Sequence, residues 1–270
     1  MSKRNLGWND AKLERYLKEK RGQGDGIEYK PWLLTQDFPS LGRASRVKSM
    51  TTGRVHHFFS KTQRDYFMEL DWEESVIDIK EHFPLHNYME IIENPDDINH
   101  SKFSNGDKPY VLTTTFLITK RIDDEKVAYY ARSIKYASEL DKKITLEKLE
   151  IERRYWSKKS IDWKIVTNKE INTILVRNIE FINPVIASKL KVKHLEEIIS
   201  DMMDEYMRSS DKILSYIFKT IEKRWTLVPG ESIAVFKYLL ANKLIRVDMN
   251  NEINIRKPIE LEFSRLEDIL

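Results

Sequence analysis

Tyr110-Val-Leu-Thr-Thr-Thr-Phe-Leu-Ile-Thr-Lys120 and, across Arg121-Ile-Asp-Asp-Glu-Lys126, Val127-Ala-Tyr-Tyr-Ala-Arg-Ser-Ile-Lys-Tyr136 are two alternating runs rich in β-branched and aromatic residues. Period-2 alternation on both sides of an acidic turn predicts a β-hairpin. Tyr110, Leu112, Thr114, Phe116 and Ile118 are expected on one face of the first strand, and Val111, Thr113, Thr115 and Leu117 on the other. On the second strand Ala131, Ser133 and Lys135 project together. Leu146 to Lys158 follows with Leu146, Leu149, Ile151, Tyr155 and Trp156 at helical spacing, and Trp163 to Thr167 then reads as a strand parallel to an earlier one.

Upstream, Asn9 to Glu19 is an amphipathic helix, and Val47 to His57 can hold a short strand pair around Thr52-Gly53. Ser60-Lys-Thr-Gln63 is a capping box opening a helix with Tyr66, Phe67 and Leu70 as its apolar stripe. Val76 to Ile79 is a short strand, and the polar stretch from Glu93 to Lys108 is a long loop. Helices and strands alternating around one mixed sheet make an α/β domain that ends near Asn168. Residues 169–190 read as a connector with a short helix, followed by helices at Leu195–Met207, Asp211–Arg224 and Pro229–Asn242. Leu244–Val247 and Ile253–Ile255 flank the turn Asn250-Asn251, so this region is either a winged helix or a small helical bundle with a hairpin.

The 270 residues are 41% hydrophobic and 33% charged, which suits a packed core and argues against general disorder. With no cysteine, disulfides, zinc ribbons, Fe–S ligation and thiol nucleophiles are excluded. No apolar run approaches a membrane helix and no signal-peptide core is present, so a cytoplasmic location without membrane contact is expected. The net charge of +3 is too small to imply nucleic acid, but residues 1–55 hold twelve Lys and Arg against six Asp and Glu. That basic front could neutralise phosphates, with Arg43, Arg46, Lys48 and Arg54 as candidate DNA contacts, or it could be a solvated surface.

Arg21-Gly-Gln-Gly-Asp-Gly26 has three glycines in five residues, yet no strand precedes it and no Gly-Lys-Ser/Thr follows, so it does not make a nucleotide site. None of the six histidines has zinc spacing. The hairpin is more suggestive. Nucleases of the restriction-enzyme type place acids on such strands and on a preceding helix to hold Mg²⁺, with a lysine to stabilise transition-state charge. Lys135 stands as that lysine or as a plain strand-end residue, and Gln63 as a ligand position or as a helix cap.

Three stretches go further. They are Arg21-Gly-Gln-Gly-x-Gly26 with Tyr29-x-Pro31-Trp32; Thr51-Thr-Gly-Arg-Val-His-His-Phe-Phe-Ser60, continuing through Leu70-Asp-Trp72 and Asp78 to Phe83-Pro-Leu85; and Thr145-Leu-Glu-Lys-Leu-Glu-Ile-Glu-Arg-Arg-Tyr-Trp156 with Trp163 and Lys169-Glu-Ile-Asn172. Over residues 15–175 the chain closely resembles the TnsA family, the endonuclease subunits of heteromeric cut-and-paste DNA transposons. The resemblance implies an N-terminal restriction-endonuclease-like domain over 1–168 and a winged-helix-like domain over 169–270. It implies nicking of the element's 5′ ends, a TnsB-like transposase that cuts and joins the 3′ ends, and a TnsC-like AAA+ regulator docking on the C-terminal region.

By the same resemblance the family's helix Glu falls on Gln63, its strand Asp on Thr115, its Gln on Ser133, its Lys on Lys135 and a later helical Glu on Glu152. Only the last two are retained. Mg²⁺ wants at least one carboxylate among its ligands, and Glu152 alone is insufficient, so no metal cofactor is expected with these residues and Mg²⁺ only if the centre is active. The leading expectation is a transposition subunit that binds transposon-end DNA, bridges transposase and regulator, and does not cut. An active 5′ endonuclease with rearranged ligands and a DNA-binding adaptor acting through its winged helix are the alternatives.

Overall fold

The structure, a computed structural model, describes residues 8–38, 44–92, 98–106, 108–187 and 192–263. The chain divides into two compact units, Met1–Ile171 and Asn172–Leu270. Arg43 lies outside the described residues.

The first unit is built on a four-stranded mixed sheet. Its strands are β3 (Val76–Pro84), β6 (Thr113–Arg121), β7 (Val127–Lys135) and β8 (Asp162–Thr167), in the spatial order β3-β6-β7-β8. The first two junctions are antiparallel, and β7 and β8 run parallel. The parallel junction needs a crossover; the helix α4 (Lys143–Lys158) supplies it. Its buried residues Ile151, Tyr155 and Trp156 pack with Leu117, Ala131, Leu85 and Tyr88, the last in the short helix α3 (Tyr88–Ile91). The helix α2 (Lys61–Trp72) packs against β7 and β3, with Phe67 tilted against Phe58 of β2 (Val55–Phe58) at 4.8 Å between ring centroids and Tyr66 near Phe116. β1 (Ser45–Lys48) completes a small hairpin with β2. Asp71 of α2 fastens its turn, accepting from the Met50 and Thr51 amides at 2.9 and 3.1 Å. The minor pair β4 (Ser104–Asn105) and β5 (Lys108–Pro109) lies within the expected loop.

The N-terminal segment is fastened onto this core by aromatics. Tyr16 of α1 (Asp10–Lys18) meets the wholly buried Trp32 edge-on, and the Arg21 guanidinium lies over the Tyr16 ring while donating to Asp37. The glycine loop serves this packing. Gly22 presses on Pro84, and at Gly24 a Cβ would sit 2.6 Å from the Glu28 carbonyl at a φ of +93°, so side chains are excluded at both positions.

The alternation expected along β6 does not hold throughout. Phe116 faces α2, whereas Thr114, two residues away, bonds to α4. The irregularity sits opposite His82, whose φ of +50° bends β3, and beside the point where the β6–β7 pairing ends at Phe116 and Arg132. β3 also runs five residues beyond the strand expected at Val76–Ile79.

In the second unit α5 (Thr173–Ala187) packs on α8 (Glu231–Ala241), and α6 (Leu195–Arg208) on α7 (Leu214–Trp225). Ile198, Met202, Ile217, Ile221, Phe236 and Leu239 are all buried there. The expected short connector helix is fifteen residues long. The expected hairpin partner is corrected. β9 (Ile245–Arg246) pairs with β10 (Glu262–Phe263), not with residues 253–255. Asn178 of α5 takes the Ile253 amide at 3.0 Å and donates to the Asn251 carbonyl at 2.8 Å, and the Ile255 carbonyl accepts from Ser215. The backbone groups a hairpin would use are therefore bonded elsewhere. Among the described residues no helix is long and apolar enough to cross a membrane.

Candidate active site

Glu152 is the centre of the site. It lies on the inner face of α4, 1% exposed. Its Oε2 accepts from the Thr114 hydroxyl at 2.8 Å and from the Ser133 hydroxyl. Each hydroxyl in turn accepts from an indole N–H, Thr114 from Trp156 at 2.8 Å and Ser133 from Trp163 at 2.9 Å. A hydroxyl has one proton to give, so both donors are spent on the carboxylate. The other oxygen, Oε1, has Lys148 Nζ at 4.0 Å, one turn earlier on the same helix. Burial lowers the Lys148 pKa, Glu152 opposes that shift, and the nearby charge of Lys135 adds to it. Lys135 ends β7 beside Thr167 of β8 and is half-buried.

Thr115 turns aside from this cluster. Its hydroxyl oxygen accepts from the Ile134 amide at 3.0 Å, taking the part of a backbone carbonyl where β6 and β7 separate. Gln63 caps its helix. Its amide donates to Ser60 Oγ at 3.2 Å and its Oε1 accepts from the Phe59 amide at 2.9 Å, one residue before the amide a capping box would use. The structure thus joins Ser133 and Glu152 directly and places Lys135 two residues further along the same strand, while Gln63 and Thr115 are each bonded to main chain. Thr114, Lys148, Trp156 and Trp163 belong to the site without having been singled out. For Lys148 and Trp156 the signal was their i, i+4 spacing about Glu152 on one helix face; Thr114 and Trp163, on strands, gave none.

Of the candidate DNA contacts, Arg46 and Lys48 are exposed on β1. Arg54 is not available to a phosphate, and that expectation is corrected. It is 8% exposed, donating to both oxygens of Glu81 at 2.9 and 2.5 Å and to the Ile79 carbonyl at 2.6 Å. Glu81, with no exposed surface, also has His56 Nδ1 at 2.9 Å and the His57 amide at 3.1 Å. Against its burial, His56 and Arg54 hold the carboxyl far below the usual carboxylate range. The basic pattern that suggested DNA includes, at this position, a buried ion pair seating the β1–β2 hairpin on the sheet.

A family model described as TnsA-like endonuclease N terminal matches residues 73–168, and one described as TnsA endonuclease C terminal matches residues 170–249. The Transposon Tn7 transposition protein TnsA of Escherichia coli is 34% identical over 273 residues, spanning 98% of this chain and 96% of that protein. The chain belongs to the TnsA-like endonuclease family. The mixed sheet with helices on both faces, followed by a helical unit, is the architecture in which that membership is expressed here.

A TnsA-like endonuclease that hydrolyses DNA through Mg²⁺ needs convergent anionic oxygens. The donor set here does not fit one. Among the described residues no group of three His, Cys, Asp or Glu could hold a metal ion. The single acid of the cluster has one oxygen filled by two hydroxyls and the other facing an ammonium. Asp123, Asp124 and Glu125 sit exposed in the β6–β7 turn, where Asp123 accepts from the Glu125 and Lys126 amides.

Proposed function

We propose that this member of the TnsA-like endonuclease family acts in transposition as a non-cutting subunit. It binds transposon-end DNA and bridges a TnsB-like transposase and a TnsC-like AAA+ regulator. The observation that carries the reading is the commitment of the neutral candidate oxygens: Gln63 to Phe59, Thr115 to Ile134, and Ser133 and Thr114 to Glu152. Neutral oxygens already bonded to main chain supply no charge with which to dehydrate Mg²⁺ or lower the pKa of a water. Arg46 and Lys48 are the surface cations offered to DNA on this reading.

The test is strand-specific cleavage of cognate end DNA by the native chain with its partner proteins, in Mg²⁺ or Mn²⁺. The expected result is 3′-strand cutting without 5′ nicks, and products in which the 5′ strand stays joined to the donor. Native 5′ nicking would refute the non-cutting reading. DNA binding that survives in residues 169–270 alone would move the DNA-binding role to the C-terminal unit.

A further inference from the structure

A cleft of about 610 Å³ opens on the first unit between α1, α3 and residues 109–111. That is the size that takes one small molecule or the anchoring side chains of a peptide. Its walls follow from the sequence. On α1, Asp10, Leu13 and Leu17 recur at helical spacing and share a face, while Tyr16 is buried in the core. On the other wall the Leu85 amide donates to the Leu112 carbonyl at 2.8 Å, and Asn87, left-handed at a φ of +52°, turns the chain into α3. That turn brings His86 and Met89 to the cleft. Trp8 and Tyr110, edge-on with ring centroids 6.4 Å apart, add aromatic surface. Leu85 is wholly buried, whereas Leu17 and Met89 are 44% and 38% exposed. Two elements therefore present large apolar side chains to solvent around one hollow.

The charge of the cleft runs against that of the sequence around it. Residues 1–55 hold twelve Lys and Arg against six acids, yet among the described residues no Lys or Arg lines the cleft, and Asp10 and Glu90 do. His86 adds no charge at neutral pH, because burial lowers its pKa. Such a rim repels a phosphate and attracts a cation. The Trp8 and Tyr110 rings attract an ammonium or guanidinium as well, and the unbranched Met89 adapts to varied apolar partners.

We propose that this cleft docks a basic amphipathic segment of a partner protein. The segment sets apolar side chains against Leu13, Leu17 and Met89 and brings a lysine or arginine to Asp10 and Glu90, the helix-in-groove mode of recognition. The proposal does not depend on the non-cutting reading, since neither Glu152 nor any DNA contact takes part. Nothing is transferred or broken; the cleft only binds.

The experiment is fluorescence anisotropy of a labelled leucine–lysine peptide with helical apolar spacing, titrated with the full chain. The native chain is expected to bind it, and to bind a leucine–glutamate peptide of the same length at least about tenfold more weakly. Leu17→Ser/Met89→Ser, at two exposed positions, should weaken the leucine–lysine peptide by about tenfold or more with an unchanged melting temperature. Asp10→Asn/Glu90→Gln should weaken it and flatten its salt dependence. Asp124→Asn/Glu125→Gln, which removes two exposed acids from the β6–β7 turn, should bind as the native chain does.

Equal affinity for the two peptides overturns the basic partner, and native binding by Leu17→Ser/Met89→Ser overturns the cleft as the place of docking. Peptide binding that appears only after removal of residues 1–7 overturns the proposal in favour of the chain's own start as occupant. A dimer in light scattering that is lost in Leu17→Ser/Met89→Ser, without peptide binding, overturns it in favour of a second copy. Binding of oligothymidine that is lost in the same variant, again without peptide binding, overturns it in favour of a nucleobase.

Discussion

Arg54→Gln separates a structural cation from a DNA-binding one. Arg54 makes three hydrogen bonds, two of them to Glu81, and both side chains are nearly or wholly inaccessible. Removing one partner of such a pair leaves a buried carboxylate short of its counter-charge, an effect of about 3–5 kcal/mol. His56 and the His57 amide remain on Glu81, so the lower half of that range applies, about 3 kcal/mol. At roughly 2–4 °C per kcal/mol for a unit of this size, the melting temperature should fall by about 6–12 °C. Differential scanning calorimetry of the full chain reads this directly. Arg54→Lys should recover only part of the loss, because an ammonium cannot span both carboxylate oxygens and the Ile79 carbonyl in one plane. Arg46→Gln and Lys48→Gln, on exposed β1 positions, should melt with the native chain. The reasoning fails if Arg54→Gln melts within a degree or so of the native protein while its salt slope for DNA drops by about 0.9, the signature of a lost phosphate contact.

Three further outcomes are expected. Gln63→Glu/Thr115→Asp introduces carboxylates at the two family positions that now hold neutral oxygens; Mn²⁺ binding by calorimetry, absent in the native chain, should appear, and no heat from the variant would show that these positions do not converge on one ion. His82 is buried, donates from Nε2 to the His57 carbonyl at 2.9 Å, and has its pKa lowered to about 4 by desolvation. Since that value lies below the unfolded one of about 6.5, the stability it confers is complete above pH 6.5 and is lost as pH falls towards 4, by about 3 kcal/mol. His82→Asn, which tolerates the left-handed backbone, should flatten urea-melt stability across that window, and an unchanged pH profile would discount His82 as the source. Ser133→Ala removes one hydroxyl from the buried Glu152 carboxylate and should lower stability by about 1–3 kcal/mol; in a double-mutant cycle with Glu152→Gln, a coupling near zero would show the hydrogen bond to be unimportant.

The parts of the fold that were legible were those written in local periodicity. The β6–β7 hairpin, the α2 start at Ser60, the helix through Trp156 and a last strand parallel to an earlier one, which the structure identifies as β7, were all legible from alternation, capping and helical spacing. What was not legible depends on partners far away in the chain. Residues 253–255 look like a strand, but Asn178, 75 positions before Ile253, takes the Ile253 amide, and the Ser215 amide takes the Ile255 carbonyl. Thr114 and Thr115 look like ordinary alternating neighbours, but the bend at His82 and the parting of β7 send one hydroxyl to α4 and the other to Ile134. Arg54 carries the same charge as Arg46, and only the three-dimensional placement of Glu81 distinguishes a core ion pair from a surface cation.

The same distinction governs what a retained acid means. Glu152 reads, in sequence, as a surviving metal ligand. In the fold it organises two hydroxyls and, through them, two indoles, so replacing it would leave two buried hydroxyl donors without their acceptor. Its presence is accounted for by packing whether or not any ion is bound. Gln63 and Thr115 complement it: each offers an uncharged oxygen to a backbone amide, a bond that a Glu or Asp at the same position could also make. On the proposed non-cutting reading, neutral oxygens at those two positions withhold the charge a metal requires and keep the acceptors the fold requires.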